Sequence, residues 1–101
     1  MPTAPKAHRM DERNRPRYPE ELNFQVAKFR SSKRWQRIRE VAMKRDHFLC
    51  RICRQEGRTT PAREVHHIQG IYAHWGKRAD MDNLMAVCIP CHRKLDEELR
   101  A

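Results

Sequence analysis

Val65-His66-His67-Ile68, followed by Asn83-Leu84 and then by Cys88-Ile89-Pro90-Cys91-His92-Arg93-Lys94, is the stretch on which the reading of this chain turns. Glu64 to Ile68 reads as a short strand, Gln69 to Asn83 as a long irregular connection and Leu84 to Val87 as a second strand. A last helix runs from about Cys91 to Leu99, with Leu95 and Leu99 on one face. His66 and His67 are neighbours on the first strand, so their side chains leave opposite faces and meet different surroundings. His92 directly follows Cys91, so a turn that holds Cys91 also fixes the start of the helix and brings His92 back against the strand.

The turn itself has a partner upstream. Cys50-x-x-Cys53 and Cys88-x-x-Cys91 are pairs that each place two thiolates on one turn, and two such turns complete a tetrahedral sulfur site for zinc. No cysteine is left over. A redox pair of the thioredoxin kind would need a βαβ context and leaves the second pair unexplained. The histidines do not complete a DNA-reading Cys₂His₂ finger either. His66 has the right separation from Cys53, but a second histidine is then required at positions 70 to 72, which are Gly, Ile and Tyr. The cysteines thus satisfy one centre and leave His66 and His92 for a second metal site with open positions for water and phosphate.

Working toward the N-terminus, the pattern becomes helical. Ser31 or Ser32 can cap a helix in which Trp35, Ile38, Val41 and Ala42 form an apolar stripe, with Lys33, Arg34, Arg37, Arg39, Lys44 and Arg45 over the rest. Leu22, Val26 and Phe29 mark a shorter helix before it. Residues 1–21 are basic and proline-rich, with too few large apolar side chains to offset the entropy of ordering, and read as a flexible arm ahead of one domain over 22–101.

The charge is lopsided. Residues 1–54 carry 15 Lys/Arg against 6 Asp/Glu and residues 55–101 carry 7 of each, so the net charge of +9 sits in the N-terminal half, as a footprint for a polyanion would. At 101 residues the core is small and gains from a metal cross-link. No apolar run spans a bilayer and no signal peptide is recognisable, which implies a cytoplasmic protein with reduced thiols and no membrane partner.

Taken together, Val65-His66-His67-Ile68, Asn83-Leu84 and Cys88-x-x-Cys91-His92-x-Lys94 resemble the HNH motif of the His-Me finger (ββα-metal) nucleases. The Trp35 helix and Arg45-Asp46 before Cys50-x-x-Cys53 are similar to the cysteine-containing phage and bacterial members. The resemblance covers about residues 31–97 and implies an α+β, ββα-metal fold with preceding helices, stapled by a four-cysteine zinc site. It implies that His67 is the general base, that His66 and His92 hold one catalytic divalent metal, and that Asn83 holds the loop and orients the base. The implied activity is hydrolysis of phosphodiesters in double-stranded DNA by a monomer, leaving 5′-phosphate and 3′-hydroxyl ends. From the charge on the Trp35 helix and the position of Lys94 near His92, Arg34, Arg37, Lys44, Arg45 and Lys94 are the expected DNA contacts, and the resemblance suggests DNA-packaging (terminase) proteins as the neighbours of phage members.

Two positions depart from the family pattern. His66 stands where many members have aspartate, so Mn²⁺, Ni²⁺, Co²⁺ or Zn²⁺ is expected to suit the site better than Mg²⁺. Gln69-Gly70 replaces a frequent proline. In the connection, His74, Trp75, Lys77 and Arg78 either fill the loop or offer a ring and cations to DNA; His8 and His47 receive no role. A non-catalytic zinc module that binds nucleic acid through the basic half needs the cysteines but is indifferent to His67, and a zinc-stapled protein adaptor explains neither the charge nor the histidines.

Overall fold

The computed structural model describes residues 18–100, with the side chains of Leu99 and Arg100 outside that description. Most of the expected basic arm therefore lies outside the described residues, although Glu20 and Glu21 already belong to the first helix. The elements are α1 (Glu20–Arg30), α2 (Lys33–Arg45), α3 (Arg51–Gln55), β1 (Glu64–His67), β2 (Leu84–Val87) and α4 (Ile89–Arg100). Two 3-10 turns, Trp75–Lys77 and Met81–Asn83, shape the connection between the strands. No described helix is long and apolar enough to cross a membrane.

Each boundary has a local cause. Ser32 caps α2 by accepting from the Trp35 N–H at 3.0 Å, as the sequence suggested. Cys50 Sγ does the same for the short helix α3, accepting from Cys53 N at 3.5 Å, so the first cysteine turn is helical. The last helix starts two residues earlier than expected because Pro90 sits in its first turn, where a missing N–H breaks no helical bond. After α2 the chain reverses through His47 (φ 58) and Phe48 (φ 59), a left-handed conformation that costs non-glycine residues about 1–2 kcal/mol each.

The two strands pair antiparallel, with His66 opposite Met85 and His67 opposite Leu84. Every residue of β2 is buried, because the ribbon is covered on both faces. Val65, Leu84 and Ala86 pack with Val26, Phe29, Trp35 and Ala42 of α1 and α2. Met85 and Val87 on the other face pack with the four cysteines, Ile52 and Leu95. A strand buried twice over has no alternation, and Leu-Met-Ala-Val reads as a continuous apolar run for that reason.

One member of the predicted α2 stripe is not in it. Val41 is 54% exposed, whereas Met43 is 8% exposed. At about 100° per residue Val41 lies about 120° round the helix from Trp35, and Met43 about 80°. Arg45, expected as a DNA contact, is also engaged inside the chain. It donates to both Asp46 carboxylate oxygens at 2.9 Å, to Met81 O at 2.7 Å and to Leu84 O at 2.6 Å. Asp46 Oδ2 in turn accepts from Ala86 N at 3.0 Å. Burial opposes its charge, yet the bonds from Arg45 and from the Ala86 N–H hold its carboxyl below the usual range. Together the pair satisfies the outer edge of β2.

Candidate active site

The ribbon separates the two histidines as strand alternation requires. His66 points toward α4 and is 3% exposed. There it meets His92, with ring centroids 5.2 Å apart at 77°. Asp96, one helical turn beyond His92, brings Oδ1 to 3.6 Å from both His66 Nδ1 and His92 Nε2. One donor atom from each of the three lies within 4.8 Å of the others. Asp96 is the residue that motif reasoning missed, though a signal was available: an acid four residues after a histidine shares its helix face. It also returns the carboxylate that His66 displaces, giving two imidazoles and one carboxylate, a donor set that suits a divalent metal with open positions.

The protonation states fit that use. Burial, reinforced by His92 nearby, pushes His66 below the ordinary histidine pKa, so its ring is neutral at neutral pH. His92 Nδ1 donates to Glu64 Oε1 at 2.7 Å, which leaves Nε2 with its lone pair facing Asp96 and His66. Such a carboxylate behind a histidine fixes the tautomer and the orientation of the ring.

His67 occupies the opposite face. Its ring stacks on Trp35 at 5.1 Å and 22°, and its Nε2–H donates to Arg78 O at 2.9 Å. The bonded nitrogen therefore carries the proton and the opposite nitrogen is free to accept one. Burial lowers the His67 pKa, with the Arg78 carbonyl acting the other way, so the neutral, proton-accepting form prevails at neutral pH. The carbonyl is itself held: the Arg78 guanidinium lies 4.1 Å over the Trp75 ring and donates to Trp75 O at 2.9 Å. The loop thus uses Trp75 and Arg78 to fill its own space.

Asn83, 5% exposed, ties both ends of that loop. Its Oδ1 accepts from Gln69 N at 2.7 Å, while Nδ2 donates to Gln69 O and Lys77 O, each at 3.1 Å. None of these bonds goes to a histidine. Its effect on His67 runs through the loop that carries Arg78.

The cysteines form the second cluster. Cys53 Sγ lies 3.8 Å from both Cys88 Sγ and Cys91 Sγ. A tetrahedron with metal–sulfur bonds of about 2.3 Å has edges of about 3.8 Å, so the spacing fits a four-coordinate ion such as zinc. Bonds from Thr60 and then Arg58 bring the Cys53 pKa down to about 6, and burial pushes Cys91 up to about 12. Of the remaining predicted contacts, Arg34 and Arg37 are exposed on α2 and Lys44 pairs with Glu40 at 4.0 Å. Lys94 is exposed but stands about 200° round α4 from His92, away from the metal-facing stripe.

Residues 50–98 match the family model described as HNH endonuclease. Among solved structures, the HNH endonuclease of the deep-sea thermophilic bacteriophage GVE2, crystallised with a manganese ion, superposes with a TM-score of 0.75. It is 39% identical over 80% of this chain and 89% of the phage chain. No curated protein matches. The chain belongs to the HNH endonuclease family, with its ββα-metal fold and a four-cysteine cluster.

Proposed function

We propose that the chain is a metal-dependent endonuclease that nicks or cleaves double-stranded DNA. The observation that carries this reading is the juxtaposition of the His66, His92 and Asp96 donors on one face of β1 with an oriented, neutral His67 leaving the other. His67 takes a proton from water, whose oxygen attacks phosphorus in line; the bond to the 3′ oxygen breaks, and that oxygen takes up a proton from solvent. A divalent cation held by His66, His92 and Asp96 would supply charge stabilisation at the phosphate and at the departing oxygen. Asn83 keeps the loop, and so the Arg78 carbonyl behind His67, in place. The products carry 5′-phosphate and 3′-hydroxyl ends.

Zinc in the cysteine cluster takes no part in these steps and stabilises the fold. For the catalytic cation the donor set admits Mn²⁺, Co²⁺, Ni²⁺ or Zn²⁺, and the Asp96 carboxylate makes Mg²⁺ acceptable as well; the manganese of the phage relative makes Mn²⁺ the first to try. We place the protein in the cytoplasm as a monomer, beside the DNA-packaging (terminase) proteins that its resemblance to phage members suggests.

The test is nicking of supercoiled plasmid by zinc-loaded protein with each metal added in turn, wild type against His67→Ala. Loss of the general base is expected to lower the rate about 10² to 10⁴-fold with DNA binding retained. Binding without cleavage under any metal would favour a zinc-stabilised nucleic-acid-binding module instead.

A further inference from the structure

An open groove of ≈ 860 Å³ runs along α2, lined by Arg30, Lys33, Trp35, Arg37, Met43 and Phe48. Its floor at one end is Trp35, whose ring stacks on His67, so the groove begins beside the proposed base. At that end Arg30 lies 5.9 Å over the Tyr72 ring of the connection between the strands. At the other end Phe48, 51% exposed, is held out by the left-handed backbone of residues 47 and 48 rather than turned into the core.

The cations of this groove are available. Arg39 is engaged with Arg63 O at 2.8 Å, and the groove's one acid, Glu40, faces Lys44. Arg30, Lys33 and Arg37 are exposed and form no ion pair among the described residues. Lys33 and Arg37 stand one turn apart on α2, about 6 Å along its axis. Cations so spaced, with Arg30 just ahead of them, can meet neighbouring phosphates of one strand.

We infer that this groove seats the sugar–phosphate backbone of one DNA strand flanking the cut, with Arg30, Lys33 and Arg37 meeting successive phosphates. The inference rests on the nuclease reading for its ligand, DNA, but not on cleavage. Phe48 closes the far end, where its ring can cover a deoxyribose. Arg34 and Lys44, which do not line the groove, take no part in it.

The experiment is fluorescence anisotropy of a duplex of about two helical turns (~20 bp), bound by zinc-loaded protein without added catalytic metal, across a salt series. Each lost phosphate contact flattens the slope of log K against log salt by about 0.9. Lys33→Gln/Arg37→Gln is therefore expected to flatten it by about 1.8, Arg37→Lys to leave it unchanged, and the charge-matched pair Lys28→Gln/Arg54→Gln to leave it unchanged. Equal flattening by both pairs, or none by the groove pair, overturns the proposal. All the replaced side chains are exposed, and retained zinc content and circular dichroism establish folding. Plasmid nicking keeps the two readings apart: a wild type that nicks with a groove-independent slope sinks the groove alone, and a groove-dependent slope without nicking sinks catalysis alone.

Discussion

Replacing Asn83 by aspartate exchanges one NH₂ group for an oxygen of nearly the same size, yet the hydrogen bonds of this side chain make it a severe change. Asn83 Oδ1 serves the Gln69 N–H, a role a carboxylate oxygen can keep. Nδ2 serves two carbonyls, Gln69 O and Lys77 O, at 3.1 Å each, and a second oxygen there would face both with lone pairs. Asn83→Ala loses three bonds at about 1 kcal/mol each and leaves a buried N–H without its partner, so about 2–4 kcal/mol is expected. For a domain this size, with about 4–12 kcal/mol in total, that is a loss of roughly 10–25 °C in Tm. Asn83→Asp is expected to cost at least as much despite its closer shape. Because the same loop carries the Arg78 carbonyl behind His67, both variants should also nick DNA about 10²-fold more slowly, with KM little changed. Thermal and urea unfolding of zinc-loaded protein, paired with plasmid nicking, measures both quantities. An aspartate variant within about 1 kcal/mol of wild type, or an alanine variant that cleaves at the wild-type rate, would refute the reasoning.

The pH profile of nicking follows from His67: its lowered pKa keeps the proton-accepting form populated as pH falls through 6.5, so the rate should hold there and decline only at lower pH. A midpoint at or above 6.5 would exclude this assignment. Asp96→Asn should weaken Mn²⁺ binding at least about tenfold, and Glu64→Gln about 10–100-fold, with zinc content unchanged; titration calorimetry reads each. Trp35→Ala should cost about 3–5 kcal/mol in denaturant unfolding, and Val41→Ser, on the exposed side of the same helix, under about 0.5. In the cysteine cluster, Cys91 near 12 is protonated at neutral pH, so metal binding must release protons and weaken as pH falls. Calorimetry in buffers of different ionisation enthalpy detects that release.

Much of this arrangement is legible in the residues themselves. The paired Cys-x-x-Cys turns, the strand with adjacent histidines and the Ser32 cap each depend on neighbours a few positions away, and local spacing reveals them. What stays hidden depends on long-range geometry. Val41 looks apolar enough for the core, but only the packing of α2 on the ribbon decides which 100° of its surface is buried. Arg45 looks like one more surface cation until β2 arrives, 39 residues later, with a carbonyl for it to serve. Asp96 lies inside an acidic run, Asp96-Glu97-Glu98; its place one turn after His92 puts it on that histidine's face, but only the docking of the last helix on β1 brings it to His66. Asn83 is recognisable from its motif, but its three bonds belong to a loop whose path no local pattern dictates.

The bond from Asp46 to Ala86 N and that from Arg45 to Leu84 O have a bearing on assembly as well as on folding. A two-stranded ribbon is all edge, and an open edge is a template on which another chain can add a strand. Along β2 the Ala86 amide and the Leu84 carbonyl that would greet such a strand are already taken by the side chains of Asp46 and Arg45. A chain gathered at high local concentration on DNA, as the proposed function requires, is thereby protected from polymerising through this ribbon, and Asp46→Ala should reveal the hazard as concentration-dependent aggregation.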